Sequence, residues 1–295
     1  MINDFYDLVT DFYEFGWGPA FHFAPRFKNE TFQASLTRAE YFLAARLGLA
    51  PGMKVLDVGC GIGGPMRNIA RFSGAAIVGV NNNDYQLAKL DRYNQAERLS
   101  GRCSAFKGDF MALKLEDESF DAAYAIEATC HAPDKVGAFR EVYRVLKPGG
   151  LFAGYEWCLT DAFDAHEPRH RELKKQVEAG NSLPEIATVP ELTDALQLAG
   201  FEVLQTENMA EFGDPETPWY LPLKGEPFSL TALRRSSTGR YFSNRGLAVL
   251  EAVRIAPRGS TEVSDMLNRA ADALVAVGEL RIFTPNLFFW VRRPA

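Results

Sequence analysis

Cysteine is scarce in this chain. The 295 residues hold four, Cys60, Cys103, Cys130 and Cys158, and no two form a CxxC pair. A disulfide-stapled scaffold is therefore excluded, and a reduced, cytoplasmic setting is expected. Long apolar runs are missing too: Leu287–Val291 is one of the longest, far short of the ~20 residues that span a bilayer. Positive charge is in deficit. Thirty-two Lys and Arg face 38 Asp and Glu, for a net charge of −6, whereas a nucleic-acid partner needs a basic field. Met1–Thr10 carries two aspartates and no apolar centre, so no secretory signal is expected. Without one, the glycosylation pattern Asn29-Glu30-Thr31 has no meaning. Internal repeats and low-complexity tracts are also lacking.

An apolar share of 47% with 24% charged residues is ordinary for a globular protein, and 12% aromatics suits either a large core or a large apolar pocket. Short apolar runs predict strands at Val55–Val58, Ala76–Val80, Ser104–Lys107, Phe120–Ile126, Leu151–Trp157, Phe201–Gln205 and Asn286–Arg292. Helices are predicted between them: Pro65–Phe72, a helix capped by Asp84 and running towards Leu99, Lys135–Leu146 stopped by Lys147-Pro148-Gly149-Gly150, and Pro190–Ala199. This alternation predicts an α/β fold with a doubly wound, parallel, Rossmann-like sheet. The gap before the last strand is too long for a plain connection. We therefore expect a single domain (1–295) in four parts: an N-terminal flap (1–50), a nucleotide-binding core (51–208), a substrate-covering insertion (209–283) and the last strand (284–295).

Residues 56–64, LDVGCGIGG, contain GxGxxG at Gly59, Gly61 and Gly64, which alone is weak evidence for any nucleotide. Two details favour S-adenosylmethionine over a dinucleotide. Asp57 stands at the loop entrance, where a carboxylate meets an ammonium but repels a pyrophosphate. The next strand ends in Asn81, an amide able to bond ribose hydroxyls in place of the usual acid. Asp109, in Lys-Gly-Asp-Phe (107–110), is placed to accept from an adenine amine. His166-Glu167-Pro168-Arg169-His170 matches HExxH, but the proline and the lack of a third ligand leave a solvated helix start, and no metal is expected.

These residues carry a family resemblance. VLDVGCGIGGPMRNIA (55–70), GVNNNDYQ (79–86), KGDFM (107–111), YAIEATCHAP (124–133), RVLKPGG (144–150) and YEW (155–157) resemble sterol 24-C-methyltransferases of the class I S-adenosylmethionine-dependent type. PWYLPL (218–223), IFTPNLFF (282–289) and the opening YEFGWGPAFHF (13–23) extend the likeness over most of the chain. The N-terminal extension of many eukaryotic members, sometimes hydrophobic, is not expected here, nor is permanent membrane anchoring. The resemblance implies a class I seven-stranded sheet, S-adenosylmethionine as cofactor, and methylation at C-24 of a Δ24 sterol side chain in sterol biosynthesis. It also implies a small-molecule sterol partner, transient membrane-surface contact and a homo-oligomer. Asp57, Gly59, Gly61, Asn81, Asn83, Asp109, Phe110 and Glu127 are the expected donor contacts.

An alkene is a weak nucleophile and must be aligned with the sulfonium methyl in a closed pocket. In the family's usual course transfer leaves a cation at C-25, a hydride shifts from C-24, and a base removes a proton. Aromatic faces stabilise such a cation without trapping it, by about 0.5–2 kcal/mol each when desolvated. Glu127 and His131, after the fourth strand, are the candidates for the base or for the group orienting it. A helix cap or salt bridge for Glu127, and a hydrogen-bonded loop histidine for His131, are the ordinary alternatives. Tyr13 and Glu14 are expected in the cation-facing wall; Phe15, Trp17, Phe21, Tyr155, Trp157, Trp219 and Tyr220 in the substrate pocket. His22 has no assigned role. Three other functions fit parts of the sequence: methylation of another prenyl or terpenoid alkene, a sterol carrier with a relic nucleotide loop, and a dinucleotide oxidoreductase.

Overall fold

The computed structural model describes residues 10, 11, 14, 17–224, 239, 245, 247, 251 and 259–295. Seven strands form one sheet: β1 (Lys54–Val58), β2 (Ala76–Asn81), β3 (Cys103–Lys107), β4 (Phe120–Ile126), β5 (Leu146–Leu159), β6 (Glu202–Asn208) and β7 (Phe283–Arg292), in the order β3-β2-β1-β4-β5-β7-β6. Each predicted strand lies within or across one of these. The sheet is not wholly parallel, however. β7 runs antiparallel to both β5 and β6. The apolar run in β7 is buried on both faces and reads the same in either direction, so only its partners fix its sense.

Helices cover both faces. α1 (Phe32–Arg46), α2 (Gly64–Ser73) and α3 (Asp84–Ala96) lie on one side, where Leu36, Leu43, Met66, Ile69 and Leu90 pack with Val55, Ile77, Tyr124 and Tyr155. α4 (Lys135–Val145) and α6 (Val189–Leu198) lie on the other, packing Phe139, Val142 and Leu192 onto Leu56, Phe120, Phe152 and Phe289. A third apolar cluster gathers beyond the carboxyl edge of the parallel strands, where α5 (Pro168–Gly180) and α7 (Ser260–Glu279) meet. Gly180 allows this: a Cβ there would lie 2.6 Å from the Ala270 Cβ.

Local details differ from expectation in two places. The cap of α3 is Asn83, whose side chain accepts from the Gln86 N–H, and Asp84 is the first helical residue. Lys147-Pro148-Gly149-Gly150 does end α4, but β5 already starts at Leu146 and absorbs the motif, with Gly149 at φ +78°. α1 and α7 had no sequence prediction, and of α5 only the helix start at 166–170 was expected. His166 and Glu167 precede α5, with Glu167 as its cap, and His170 Nδ1 accepts from the Asp164 N–H.

Candidate active site

Parallel strands deliver their carboxyl ends to one edge, and the residues picked out from the sequence for the donor stand there in succession. Gly59, Gly61 and Gly63 have φ of +83°, +51° and +76°, a left-handed run that glycine adopts without cost. A Cβ on Gly61 would project into open space, whereas one on Gly59 would lie 2.4 Å from the Ala128 Cβ. The loop is thus an open cradle on one side and pressed against the β4 turn on the other. Buried Arg67 braces it from α2, donating to the Ile62 carbonyl at 2.9 Å.

Asp57 is buried at the end of β1 and accepts from the Tyr124 hydroxyl at 2.8 Å. Desolvation is the main cause that lifts its carboxyl to about 7, against the lowering effect of that bond. A desolvated acid beside an open glycine cradle fits a ligand carrying an amino acid's ammonium. Asn81 ends β2 half-buried and donates to Gln86 Oε1 at 2.8 Å. Asp109 is exposed after β3, with Oδ1 accepting from the Met111 N–H, and Phe110 is half-buried beside it. Asn83 Oδ1 caps α3, accepting from the Gln86 N–H.

Glu127 follows β4 directly and has φ +50°, a left-handed conformation in a non-glycine residue. Such strain costs on the order of 1–3 kcal/mol and clusters at functional sites. Its Oε1 accepts from the Phe23 N–H at 2.6 Å, and its Oε2 accepts from the Trp157 indole N–H at 2.7 Å. Desolvation dominates and raises this carboxyl to about 8, while the charge of His22 and the two N–H donors lower it. Glu127 is thus a carboxyl with both oxygens oriented and a proton affinity near neutrality, as a general base requires.

The chain over this edge is the N-terminal strap. At Gly64, a Cβ would lie 2.1 Å from the Pro19 carbonyl oxygen, so the strap rests directly on the start of α2. Its first part is fastened to α3: Lys89 pairs with Asp11 and Glu14, Tyr93 donates to Glu14, and the Gln86 amide donates to Thr10 at 3.0 Å. The structure therefore places Glu14 against α3, engaged by a lysine and a tyrosine, rather than in a cation-facing wall.

Beyond Pro19 the strap contributes rings. Phe23 packs edge-on to Trp17 at 5.3 Å and to Trp219 at 5.1 Å, and lies 6.1 Å from Trp157. Trp157 and Trp219 both meet Phe283, at 5.4 and 5.8 Å. Trp17, Trp157 and Trp219 thus gather on Phe23, whose N–H, with the Trp157 indole, donates to Glu127. Tyr220 touches Trp219 at 5.5 Å but lies over Gly278, where a Cβ would be 2.3 Å from its ring, so it seats the connection on α7. Phe21 is half-buried in the strap. Tyr155 does not join the pocket. It lies further back along β5, under α1, where its hydroxyl donates to the Ala39 carbonyl at 3.0 Å. Tyr13 and Phe15 lie outside the described residues.

His131 sits in the short turn Thr129–His131, where desolvation lowers it to about 4. It is a neutral imidazole at pH 7. Glu156, completely buried, accepts from the Thr129 hydroxyl and from the Trp157 N–H, and so anchors that turn. Sequence reasoning missed three contributors. Phe283 was hidden in an apolar stretch, and the backbone of Phe23 has no sequence signal. Glu40, in mid-helix, has no sequence signal and is completely buried.

The family model described as a methyltransferase domain matches residues 56–154, and that described as sterol methyltransferase C-terminal matches residues 230–295. The cycloartenol-C-24-methyltransferase of Arabidopsis thaliana is 49% identical over 294 residues, which cover 100% of this chain and 87% of that protein. The sterol 24-C-methyltransferase ERG6 of Saccharomyces cerevisiae is 46% identical over 299 residues, covering 99% of this chain and 78% of that one. Among solved structures, a mycolic acid cyclopropane synthase complexed with SAH and CTAB superposes with a TM-score of 0.77 at 17% identity, over 99% of this chain and 96% of the other. That likeness is one of fold: the Rossmann-like sheet of class I methyltransferases. With whole-length relatives at this identity, the chain belongs to the sterol 24-C-methyltransferase family.

Proposed function

We propose that the protein transfers the methyl group of S-adenosylmethionine to C-24 of a Δ24 sterol side chain, in sterol biosynthesis, through a carbocation that is then deprotonated. The observation that carries this reading is the Glu127 carboxyl, held by the Phe23 and Trp157 N–H groups within a cluster of Trp17, Phe23, Trp157, Trp219 and Phe283. S-adenosylmethionine supplies an electrophilic methyl on a sulfonium. The glycine loop and Asp57 would hold its amino-acid end, Asn81 its ribose, and Asp109 with Phe110 its adenine.

The strap and the connection carrying Trp219 then exclude water. This matters because water would capture a tertiary cation as an alcohol, whereas ring faces stabilise it without bonding to it. Glu127 balances the positive charge and accepts the final proton, and neutral His131 orients the neighbouring turn. The family membership gives C-24 of a sterol as the acceptor. Among the described residues no helix is long and apolar enough to cross a membrane. A cytoplasmic protein that meets its lipid substrate at a membrane surface and self-associates completes the proposal.

Substituting Glu127→Gln tests the assignment. Gln keeps the side-chain length and one acceptor oxygen but cannot take the proton. Donor binding by calorimetry should stay within a fewfold of the parent protein, while turnover drops by at least the ~10²–10⁴-fold typical of a general base. Unchanged turnover would remove Glu127 from the reaction.

A further inference from the structure

Behind the strap lies a buried polar chain that neither the donor nor the aromatic wall explains. Glu40, on α1, has no exposed surface. Its Oε2 accepts from the Asn68 amide of α2 at 2.7 Å, and its Oε1 faces His22 Nε2 at 3.1 Å. His22 Nδ1 in turn lies 2.9 Å from the Phe23 carbonyl oxygen. That same carbonyl accepts from the Asn286 amide of β7 at 3.0 Å, and the Phe23 N–H is the donor to Glu127 Oε1.

The protonation of His22 follows from its partners. A carbonyl oxygen only accepts, so Nδ1 carries a hydrogen. Nε2 faces a carboxylate oxygen, and if it donates as well the ring is an imidazolium. Burial of an uncompensated charge is costly, and a carboxylate braced by Asn68 offsets that cost. Desolvation, the largest influence on His22, is outweighed by Glu40 and by Glu127, and its pKa stands above the ordinary value.

We propose that Glu40 is a positioning residue for the methyl-transfer reaction: through His22 it fixes the Phe23 peptide that holds Glu127, and it keeps a positive charge facing that carboxylate. The inference rests on the assignment of Glu127 above. The helix pair α1–α2, rigid in the core, thereby sets the geometry of a group carried on a strained turn. The charged groups facing His22 are Glu40 from α1 and Glu127 from the end of β4. Glu127 faces His22 and Glu156, and Asp57 of β1 also senses Glu40.

Glu40→Gln and Glu40→Asp separate charge from packing. Gln donates to Nε2 and accepts from Asn68, so the bonds survive while His22 loses its counter-ion and becomes neutral. Without that charge Glu127 holds its proton more tightly, and the acid limb of the kcat/KM–pH profile should rise by about one unit. Asp keeps the charge, so its limb should stay with that of the parent protein even if stability falls. A Gln limb coincident with the parent, or an equal shift in both variants, would overturn the proposal.

The unsubstituted protein offers a check that needs no variant to fold. With ¹⁵N-labelled histidine, both ring nitrogens of His22 should report an imidazolium at pH 7; a neutral ring would overturn the proposal. These outcomes are distinguishable from failure of the parent assignment, because only Glu127→Gln decides whether Glu127 acts at all.

Discussion

Trp157→Phe isolates one hydrogen bond at the centre of the site. The indole N–H donates to Glu127 Oε2 at 2.7 Å, and phenylalanine removes that donor while leaving a ring to face Phe23 and Phe283. A hydrogen bond to a charged group contributes about 1.5–3 kcal/mol. At 1.36 kcal/mol per unit, its loss raises the Glu127 pKa by about 1–2 units. The sign is definite. The donor favours the carboxylate, so the pKa climbs from about 8 to a more basic value, and less of the active form exists at pH 7. Since nearly all of the group is then protonated in either protein, turnover at pH 7 should fall about 10- to 100-fold. It should recover towards the parent value as pH passes the new pKa. Steady-state kcat with methyl-labelled donor from pH 6 to 10 measures this directly. Coincident acid limbs, or a loss equal at all pH values, would refute the reasoning: the first removes Glu127 as the titrating base, and the second makes Trp157 only a packing residue.

Two further substitutions test the strap. Gly64→Ala sits at the start of α2, where alanine would ordinarily stabilise the helix by up to ~1 kcal/mol. Its Cβ would instead lie 2.1 Å from the Pro19 carbonyl, so overpacking should cost about 1–3 kcal/mol in urea denaturation, and a gain in stability would show that the strap does not rest there. Lys89→Met keeps the aliphatic stem but releases Asp11 and Glu14. The KM for the donor should rise several-fold with kcat nearly constant, and an unchanged KM would mean that this fastening has no part in covering the donor.

The candidate site's edge was legible in the sequence because its residues follow the strands immediately. Asp57, Asn81, Asp109 and Glu127 each stand within two residues of the end of an apolar run, or inside it, and the topology then carries them to one edge. Tyr155 failed by its place along the strand. Tyr155 and Trp157 are two residues apart and share a face of β5, but Tyr155 packs under α1 whereas Trp157, nearer the carboxyl end, joins Phe23, Trp219 and Phe283. Glu14 and His22 lie in one aromatic stretch, yet their partners are Lys89 and Glu40, on two different helices. No local pattern announces such long-range pairs. Glu40 is the clearest case: in a helix of weak amphipathic character it has the look of a solvated acid, and only the folded chain brings His22 and Asn68 to it.

Product analysis tests the central claim most directly. The purified protein is incubated with methyl-labelled S-adenosylmethionine and a panel of Δ24 sterols and linear prenyl alkenes, and the products are identified by mass spectrometry. Sterols carrying the labelled carbon at C-24, with the side-chain alkene re-formed by deprotonation, are the predicted result. Label confined to linear terpenoids, or no transfer despite donor binding, would contradict it.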